Sequence, residues 1–255
     1  MSLMLIPVYL VIFMFGAVIG SFLNVCIYRI PQKESVGVVP SHCMQCGYRL
    51  KWFDLIPILS WLFLKGKCRK CKAKISVQYP LIEIVNGLLY VLIFSTFYCE
   101  LVPSITYCLL GSALIVLSVI DFRTYEIPLG INIFIFILGL MHMYFNRSHW
   151  STYVIGFFAV SSALLLLFLF SHGKAIGGGD IKLMAVVGLI LGWKEIILAF
   201  FVACILGSII HLLRMKISGE GRVLAMGPYL SLGIMISALW GNQVIQWYLN
   251  LFIPG

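Results

Sequence analysis

Hydrophobic residues in this chain form long runs instead of the alternating or one-sided patterns of a soluble domain. An α-helix needs about 20 apolar residues to cross the hydrocarbon core of a bilayer. The runs therefore predict an all-α, polytopic membrane helix bundle with up to eight transmembrane helices. The predicted helices cover residues 3–28, 80–99, 104–120, 128–145, 153–170, 181–192, 196–213 and 228–252.

The composition excludes a soluble enzyme. Hydrophobic residues make up 62% of the 255 residues and charged residues 11%, whereas a typical soluble domain has about 45–50% and about 25%. The one sharp change in composition is the polar, basic stretch 29–79. The sequence thus predicts three parts: a first transmembrane helix (1–28), a small loop domain (29–79) and a second, larger membrane domain (80–255).

The distribution of positive charge predicts the orientation. Ten of the 18 basic residues lie between Arg29 and Lys74, and an eight-helix count places 16 of them on one side. Because cytoplasmic loops carry the excess of Lys and Arg, we expect a cytoplasmic loop domain and both termini outside. We attribute the net charge of +9 to this orientation and expect no nucleic-acid partner.

The predicted sixth helix is short, with about a dozen apolar residues after Asp180. It could be a short helix or one half of a re-entrant pair. A count of seven spans would move Arg214, Lys216 and Arg222 to the outside, so the charges favour eight.

Four cysteines in the loop domain have the spacing of a metal site. They form two C-x-x-C pairs, Cys43 with Cys46 and Cys68 with Cys71. Two such pairs at this separation predict a tetrathiolate zinc site, which would replace the core that so short a loop lacks. Disulfides or redox chemistry remain the alternatives, but the cytoplasm is reducing. Four protein ligands leave no open position, so the predicted zinc is structural.

Two aspartates are predicted to lie at the same depth, at the cytoplasmic ends of different helices. Asp121 follows an apolar run, and Asp180 follows the glycines Gly177, Gly178 and Gly179. Ionisable residues at membrane depth are costly and usually functional. Two neighbouring carboxyls share a proton, so that one can activate water while the other polarises a carbonyl. The glycines would let an extended substrate backbone approach closely.

Other interpretations of the aspartates remain open. Each could cap a helix end, Asp121 beside Arg123 and Asp180 after a glycine turn. A proton-coupled transporter could use both carboxyls as a relay. A membrane scaffold with a zinc-dependent partner would need neither aspartate. The glycine run and the predicted cytoplasmic depth favour proteolysis, because transporters usually bind near the bilayer midplane.

Together these residues resemble the type IV prepilin peptidase family, which belongs to the GxGD class of intramembrane aspartyl proteases. The similarity covers nearly the whole chain. Its motifs are Gly20–Val25 with Arg29-Ile30-Pro31, the two cysteine pairs, Trp52–Ser60, Lys65–Cys68, Tyr79-Pro80 with Glu83, Asp121 with Ile127-Pro128, Gly177–Lys182 and Gly227-Pro228.

The resemblance implies two activities in a bacterial inner membrane. The first is cleavage of the basic leader of prepilins or pseudopilins, with Asp121 and Asp180 as the protease pair. The second is N-methylation of the new N-terminus with S-adenosylmethionine as methyl donor. Gly66 and Glu83 are the family-pattern candidates for methyl transfer, although a turn glycine and a helix-end carboxylate explain them equally well.

Overall fold

The computed structural model describes residues 5–98, 100–174, 176–218 and 224–252. Within these ranges the chain is helical with no named strand, and its only β-pairing is two isolated bridges near the cysteines. The predicted all-α membrane fold is therefore confirmed. The chain ends, whose outward placement was predicted from charge, and Arg222 lie outside the described residues.

The described residues form ten α-helices, numbered here in chain order. They are α1 (Ile6–Arg29), α2 (Leu59–Phe63), α3 (Gln78–Thr96), α4 (Leu101–Thr124), α5 (Leu129–Phe145), α6 (Trp150–Ala159), α7 (Ser161–Phe170), α8 (Gly178–Leu191), α9 (Trp193–Ser218) and α10 (Gly227–Phe252).

Five helical segments of the described residues are long and apolar enough to cross a membrane. They are Ile6–Arg29, Gln78–Thr96, Leu101–Thr124, Arg147–Phe170 and Trp193–Ile217. α5 is a shorter apolar helix of 17 residues. Each predicted segment overlaps helix within the described residues, and segment 153–170 is divided between α6 and α7 at Val160. The count of eight spans stays a prediction.

The chain divides into two compact units, Met1–Ser104 and Ile105–Gly255. In the first unit α1 packs along α3, and glycines bring the two backbones together. A Cβ atom on Gly20 would lie 2.8 Å from the Cα of Glu83, so no larger residue fits there without a shift. The amide of Asn86 donates a hydrogen bond of 2.7 Å to the carbonyl of Gly16. The predicted three-part division of the chain stays a prediction.

In the second unit α8 is the central helix. It contacts α5, α6, α7, α9 and α10, and every residue from Leu183 to Leu191 is buried. The predicted sixth segment is thus one short helix of 14 residues, about 21 Å long at 1.5 Å per residue. Because Leu183–Leu191 are buried on all sides, no side of this part of the helix needs polar residues.

Candidate functional site

The two cysteine pairs occupy two similar turns. In the first turn the Cys43 N–H donates to Tyr48 O at 2.9 Å, and Gly47 N–H donates to Cys43 O at 2.9 Å. In the second turn the Cys68 N–H donates to Ala73 O at 2.8 Å. Each turn presents both thiols of its pair in one direction, as a metal knuckle does.

All four Sγ atoms lie within 4.8 Å of one another. Two of the separations are 3.8 Å, between Cys43 and Cys71, and 4.0 Å, between Cys46 and Cys68. A tetrahedron with Zn–S bonds of 2.3 Å has sulfur atoms about 3.8 Å apart. All four thiols are unbridged. The four cysteines could therefore hold a metal ion, and their geometry fits zinc.

Charge and hydrogen bonds suit the cluster to metal binding. Hydrogen bonds from the backbone N–H groups of Cys46 and Gln45 lower the pKa of the Cys43 thiol to about 6. A ligand must be a thiolate, so this shift favours binding at neutral pH. His42 is not part of the group formed by the four cysteines, and its Nδ1 lies 3.1 Å from the carbonyl oxygen of Pro40.

An ion pair between the half-exposed Arg69 and the buried Asp54 connects the second knuckle to the middle of the loop. The guanidinium of Arg69 donates to Asp54 Oδ1 at 2.8 Å, and Arg69 also stacks over the ring of Phe53. The Asp54 side chain accepts a further bond of 3.2 Å from the N–H of Lys51. Asp54 is thus a structural residue of the loop.

Asp121 lies in the last turn of α4 and is only 5% exposed. Its Oδ2 accepts a hydrogen bond of 2.8 Å from the backbone N–H of Gly227, the first residue of α10. Helix N-termini stabilise negative charge through free N–H groups and the helix dipole. The start of α10 therefore orients this carboxyl.

Asp180 lies in the first turn of α8, directly after the predicted glycine run. Its backbone N–H donates to the carbonyl of Gly177 at 3.1 Å, which closes the turn. A Cβ on Gly179 would lie 2.9 Å from Cβ of Ile127, whereas a Cβ on Gly178 would meet nothing within 4 Å. The third glycine is therefore required by packing and the second is not.

The fold brings the two predicted aspartates together. Gly179, next to Asp180, packs against Ile127, which follows Asp121 by six residues, and Asp180 lies within reach of the charge of Asp121. Asp121 is buried and Asp180 is half-buried, while Gly177 and Gly178 are exposed beside them. The arrangement joins two interacting carboxyls to an accessible strip of backbone.

Sequence reasoning missed the role of Gly227. The available signal is the Gly227-Pro228 dipeptide, because Pro in the first turn marks a helix N-terminus. A Cβ on this residue would lie 2.7 Å from Asp121 Oδ2. Glycine is needed here because the carboxyl occupies the space of a side chain.

The first unit contains a cavity of about 770 Å³ between α1, the loop and the start of α3. Its lining includes the aromatic residues Tyr28, Trp61 and Tyr79 and three acidic residues, Glu34, Asp54 and Glu83. The rings of Tyr28 and Tyr79 stack with centroids 5.8 Å apart.

Glu83 is buried and accepts a hydrogen bond of 2.7 Å from the Ile58 N–H. Gly66 is buried with φ +65°, and a Cβ there would lie 2.8 Å from the Trp61 ring. Gly66 therefore both forms a turn and leaves room for Trp61.

These features define a multi-pass helical membrane protein with two aspartates at helix ends and a separate four-cysteine cluster. Residues 14–97 match the family model for the bacterial peptidase A24 N-terminal domain, and residues 108–212 match the type IV leader peptidase family. The chain belongs to the type IV leader peptidase family.

Curated relatives match along most of their length. A prepilin leader peptidase/N-methyltransferase of Pseudomonas putida is 31% identical, with 90% of this chain and 89% of the relative covered. Proteins of the same name from Bacillus subtilis and Aeromonas salmonicida are 32% and 30% identical, covering 94% and 95% of this chain and 98% and 94% of the relatives. No solved structure shows significant similarity to the chain.

Proposed function

We propose that this inner-membrane protein cleaves the leader peptide of type IV prepilins or pseudopilins and N-methylates the new N-terminus. The names of its relatives support both activities. The proteolytic part is supported by the position of Asp121, which the N-terminus of α10 holds, within electrostatic reach of Asp180. The relatives are named as peptidases, and this does not favour the alternative function of a proton-coupled transporter.

The carboxyl pair supplies the chemistry of peptide hydrolysis. An ionised carboxyl accepts a proton from a water molecule, which attacks the scissile carbonyl carbon. The protonated partner donates a hydrogen bond to the carbonyl oxygen and stabilises the charge that develops there. The proton moves between the two groups during the reaction, so the roles belong to the pair.

The glycine turn provides the surface for the substrate backbone. Gly177 and Gly178 are exposed beside Asp180, and Gly178 has open space around its Cα. An extended peptide can therefore lie close to the carboxyls without meeting a side chain. We assign Gly177, Gly178 and Gly179 to this substrate loop, with Gly179 packed against Ile127.

The proposed orientation puts the carboxyl pair at the cytoplasmic boundary, the four-cysteine loop in the cytoplasm and both termini outside. It rests on the excess of basic residues between Arg29 and Lys74. A prepilin has a basic leader in the cytoplasm followed by an apolar helix, so its scissile bond lies at this boundary. The pair can then reach the bond without withdrawing the helix from the bilayer.

Zinc is the metal that we propose for Cys43, Cys46, Cys68 and Cys71. The sulfur separations of 3.8 and 4.0 Å support a tetrahedral site. With all four positions taken by protein ligands, the ion would connect two turns and have no place for substrate. Its role is to fold the loop that encloses the cavity.

We assign the cavity of the first unit to the methyl donor. Its volume of about 770 Å³ is within the range of small-molecule sites. S-adenosylmethionine supplies an electrophilic methyl group on a positively charged sulfonium. Tyr28 and Tyr79 would hold its aromatic and cationic parts, and Glu34 and Glu83 its polar groups. Gly66 acts indirectly, by leaving room for the Trp61 ring.

The decisive experiment for proteolysis is mass spectrometry of a prepilin incubated with the detergent-solubilised full-length protein. Wild type should release the leader, and Asp121→Asn and Asp180→Asn should each leave it attached. Glu100→Gln is the matched control, because it makes the same chemical change at an exposed carboxyl before α4. Cleavage by either aspartate variant at the wild-type rate would refute the carboxyl pair.

The methyl-donor site is tested by binding. Titration calorimetry with S-adenosylmethionine should detect binding to wild type and about tenfold weaker binding to Glu83→Gln. Glutamine keeps an acceptor for the Ile58 N–H and removes the charge. Equal affinity of the two proteins would exclude Glu83 from the site, whereas leader release should be the same in both.

A further inference from the structure

Helix α2 carries an apolar surface that no described part of the chain covers. Leu59, Leu62 and Phe63 are all exposed, and Phe63 is 82% exposed. We call these three residues the α2 patch. They lie at positions i, i+3 and i+4 of the helix, so one side of it is apolar. Contiguous apolar surface of this kind marks an interaction site.

The other side of α2 faces inward. Ser60, Trp61 and Leu64 line the cavity of the first unit. Trp61 donates from its indole Nε1 to the carbonyl of Ile75 at 3.3 Å. α2 therefore packs against the rest of the first unit through this inward side. The α2 patch lies on its other, exposed side.

Two hydrogen bonds fix the position of α2 along the axis of α3. Trp61 bonds to Ile75, three residues before α3 begins, and the Ile58 N–H bonds to Glu83, in the second turn of α3. The Glu83 side chain, like all helical side chains, points back towards the helix N-terminus. α2 is thus held beside the first two turns of α3.

α3 is a candidate membrane span of 19 residues, about 28 Å long at 1.5 Å per residue. This length equals the hydrocarbon thickness of a bilayer, so the first turns of α3 lie at its boundary. The exposed residues Leu81, Val85 and Leu88 form the lipid-facing stripe of α3. The α2 patch is at the level where this stripe begins.

The charges beside the patch match a lipid surface. Lys65 and Lys67 are exposed directly after α2, and Lys51 is exposed before the preceding turn. The exposed Trp52 adds a side chain that favours the membrane interface. Apolar residues with adjoining lysines are characteristic of segments that lie in the headgroup region of anionic membranes.

We propose that the α2 patch is inserted into the bilayer interface and that Lys65 and Lys67 bind anionic phospholipid headgroups. The four-cysteine loop is then attached to the membrane by its own lipid contact as well as by α1 and α3. Because α2 also forms one wall of the cavity, the lipid contact holds that wall in position.

Site-specific photocrosslinking in lipid nanodiscs tests the proposal. The full-length protein carries p-benzoylphenylalanine at position 63, or at position 44 as a control. Met44 is similarly exposed, at 76%, but lies in the first knuckle. After illumination in phosphatidylglycerol nanodiscs, intact-mass spectrometry should find lipid adducts at position 63 at about five times the yield at position 44.

The charge contribution is measured with Lys65→Glu/Lys67→Glu in the same Phe63 probe. Adduct yield should fall in phosphatidylglycerol and stay the same in phosphatidylcholine, because only the former carries net negative charge. Equal adduct yields at positions 63 and 44, or crosslinks from position 63 to a second protein chain, would overturn the proposal. If the probe at position 63 prevents folding, position 59 gives the same comparison.

Discussion

The backbone N–H of Gly227 donates a hydrogen bond of 2.8 Å to Oδ2 of Asp121, across 106 residues of sequence. A carboxyl at the end of one helix is thereby held by the start of another. The acceptor is Oδ2, and Oδ1 of Asp121 takes no part in this hydrogen bond. Both the hydrogen bond and the missing side chain of Gly227 are needed, since a Cβ would lie 2.7 Å from the bonded oxygen.

Gly227→Ala should therefore impair proteolysis without removing either carboxyl. The added methyl group must displace Asp121, and a misplacement of about 1 Å can reduce a rate about 100-fold. The measurement is the rate of leader release from a prepilin. Gly37→Ala is the matched control, because a Cβ there would meet nothing within 4 Å. Full activity of Gly227→Ala would mean that the Asp121 position is not critical.

The glycine turn before Asp180 gives a second, graded prediction. Gly179→Ala would bring a methyl group within 2.9 Å of the Ile127 Cβ, whereas Gly178→Ala would enter open space. We expect Gly179→Ala to lower the cleavage rate about tenfold or more and Gly178→Ala to cost clearly less. Kinetics of the two variants on one substrate provide the comparison. The reverse order would contradict the assignment of the packed and open glycines.

The four-cysteine cluster predicts a metal content that can be counted. Purified protein should contain about one zinc per chain, and Cys43→Ser should lose it because a tetrathiolate site needs all four ligands. Elemental analysis by mass spectrometry measures the ratio. Cys204→Ser, a change in α9 outside the cluster, should keep the metal. Zinc retained at the wild-type level in Cys43→Ser would exclude that thiol as a ligand.

Zinc binding should also depend on pH in a stated direction. Backbone N–H donors lower the pKa of Cys43 to about 6, whereas the pKa of Cys71 in the same cluster is raised to about 11. The four thiols therefore ionise as one group, for which protons and metal compete. Binding that requires the thiolate weakens on the acidic side. A chromogenic chelator should therefore take up more zinc at pH 5 than at pH 8. Equal release at pH 8 and pH 5 would contradict this dependence.

Much of the fold could be predicted from local patterns. Apolar runs locate helices because a lipid-exposed backbone must satisfy its hydrogen bonds internally. The short run after Asp180 forms one helix whose residues Leu183–Leu191 are buried among five neighbouring helices, and its assignment as a short span or as half of a re-entrant pair stays a prediction. The number of spans cannot be read from apolar length alone, because helices such as α8 are apolar through protein contacts instead of lipid contacts.

The sequence by itself determined the residue types and spacings that carry chemistry: two C-x-x-C pairs, and two aspartates at helix ends with glycines before the second. Ligand spacing within a turn is local, so it can be read directly from the sequence. Only the tertiary structure decided which groups meet. The Gly227 bond to Asp121, the coupling of Asp121 with Asp180 and the attachment of α2 through Ile58 to Glu83 all join distant segments. Such contacts depend on how helices pack, and no local pattern in the chain specifies that packing.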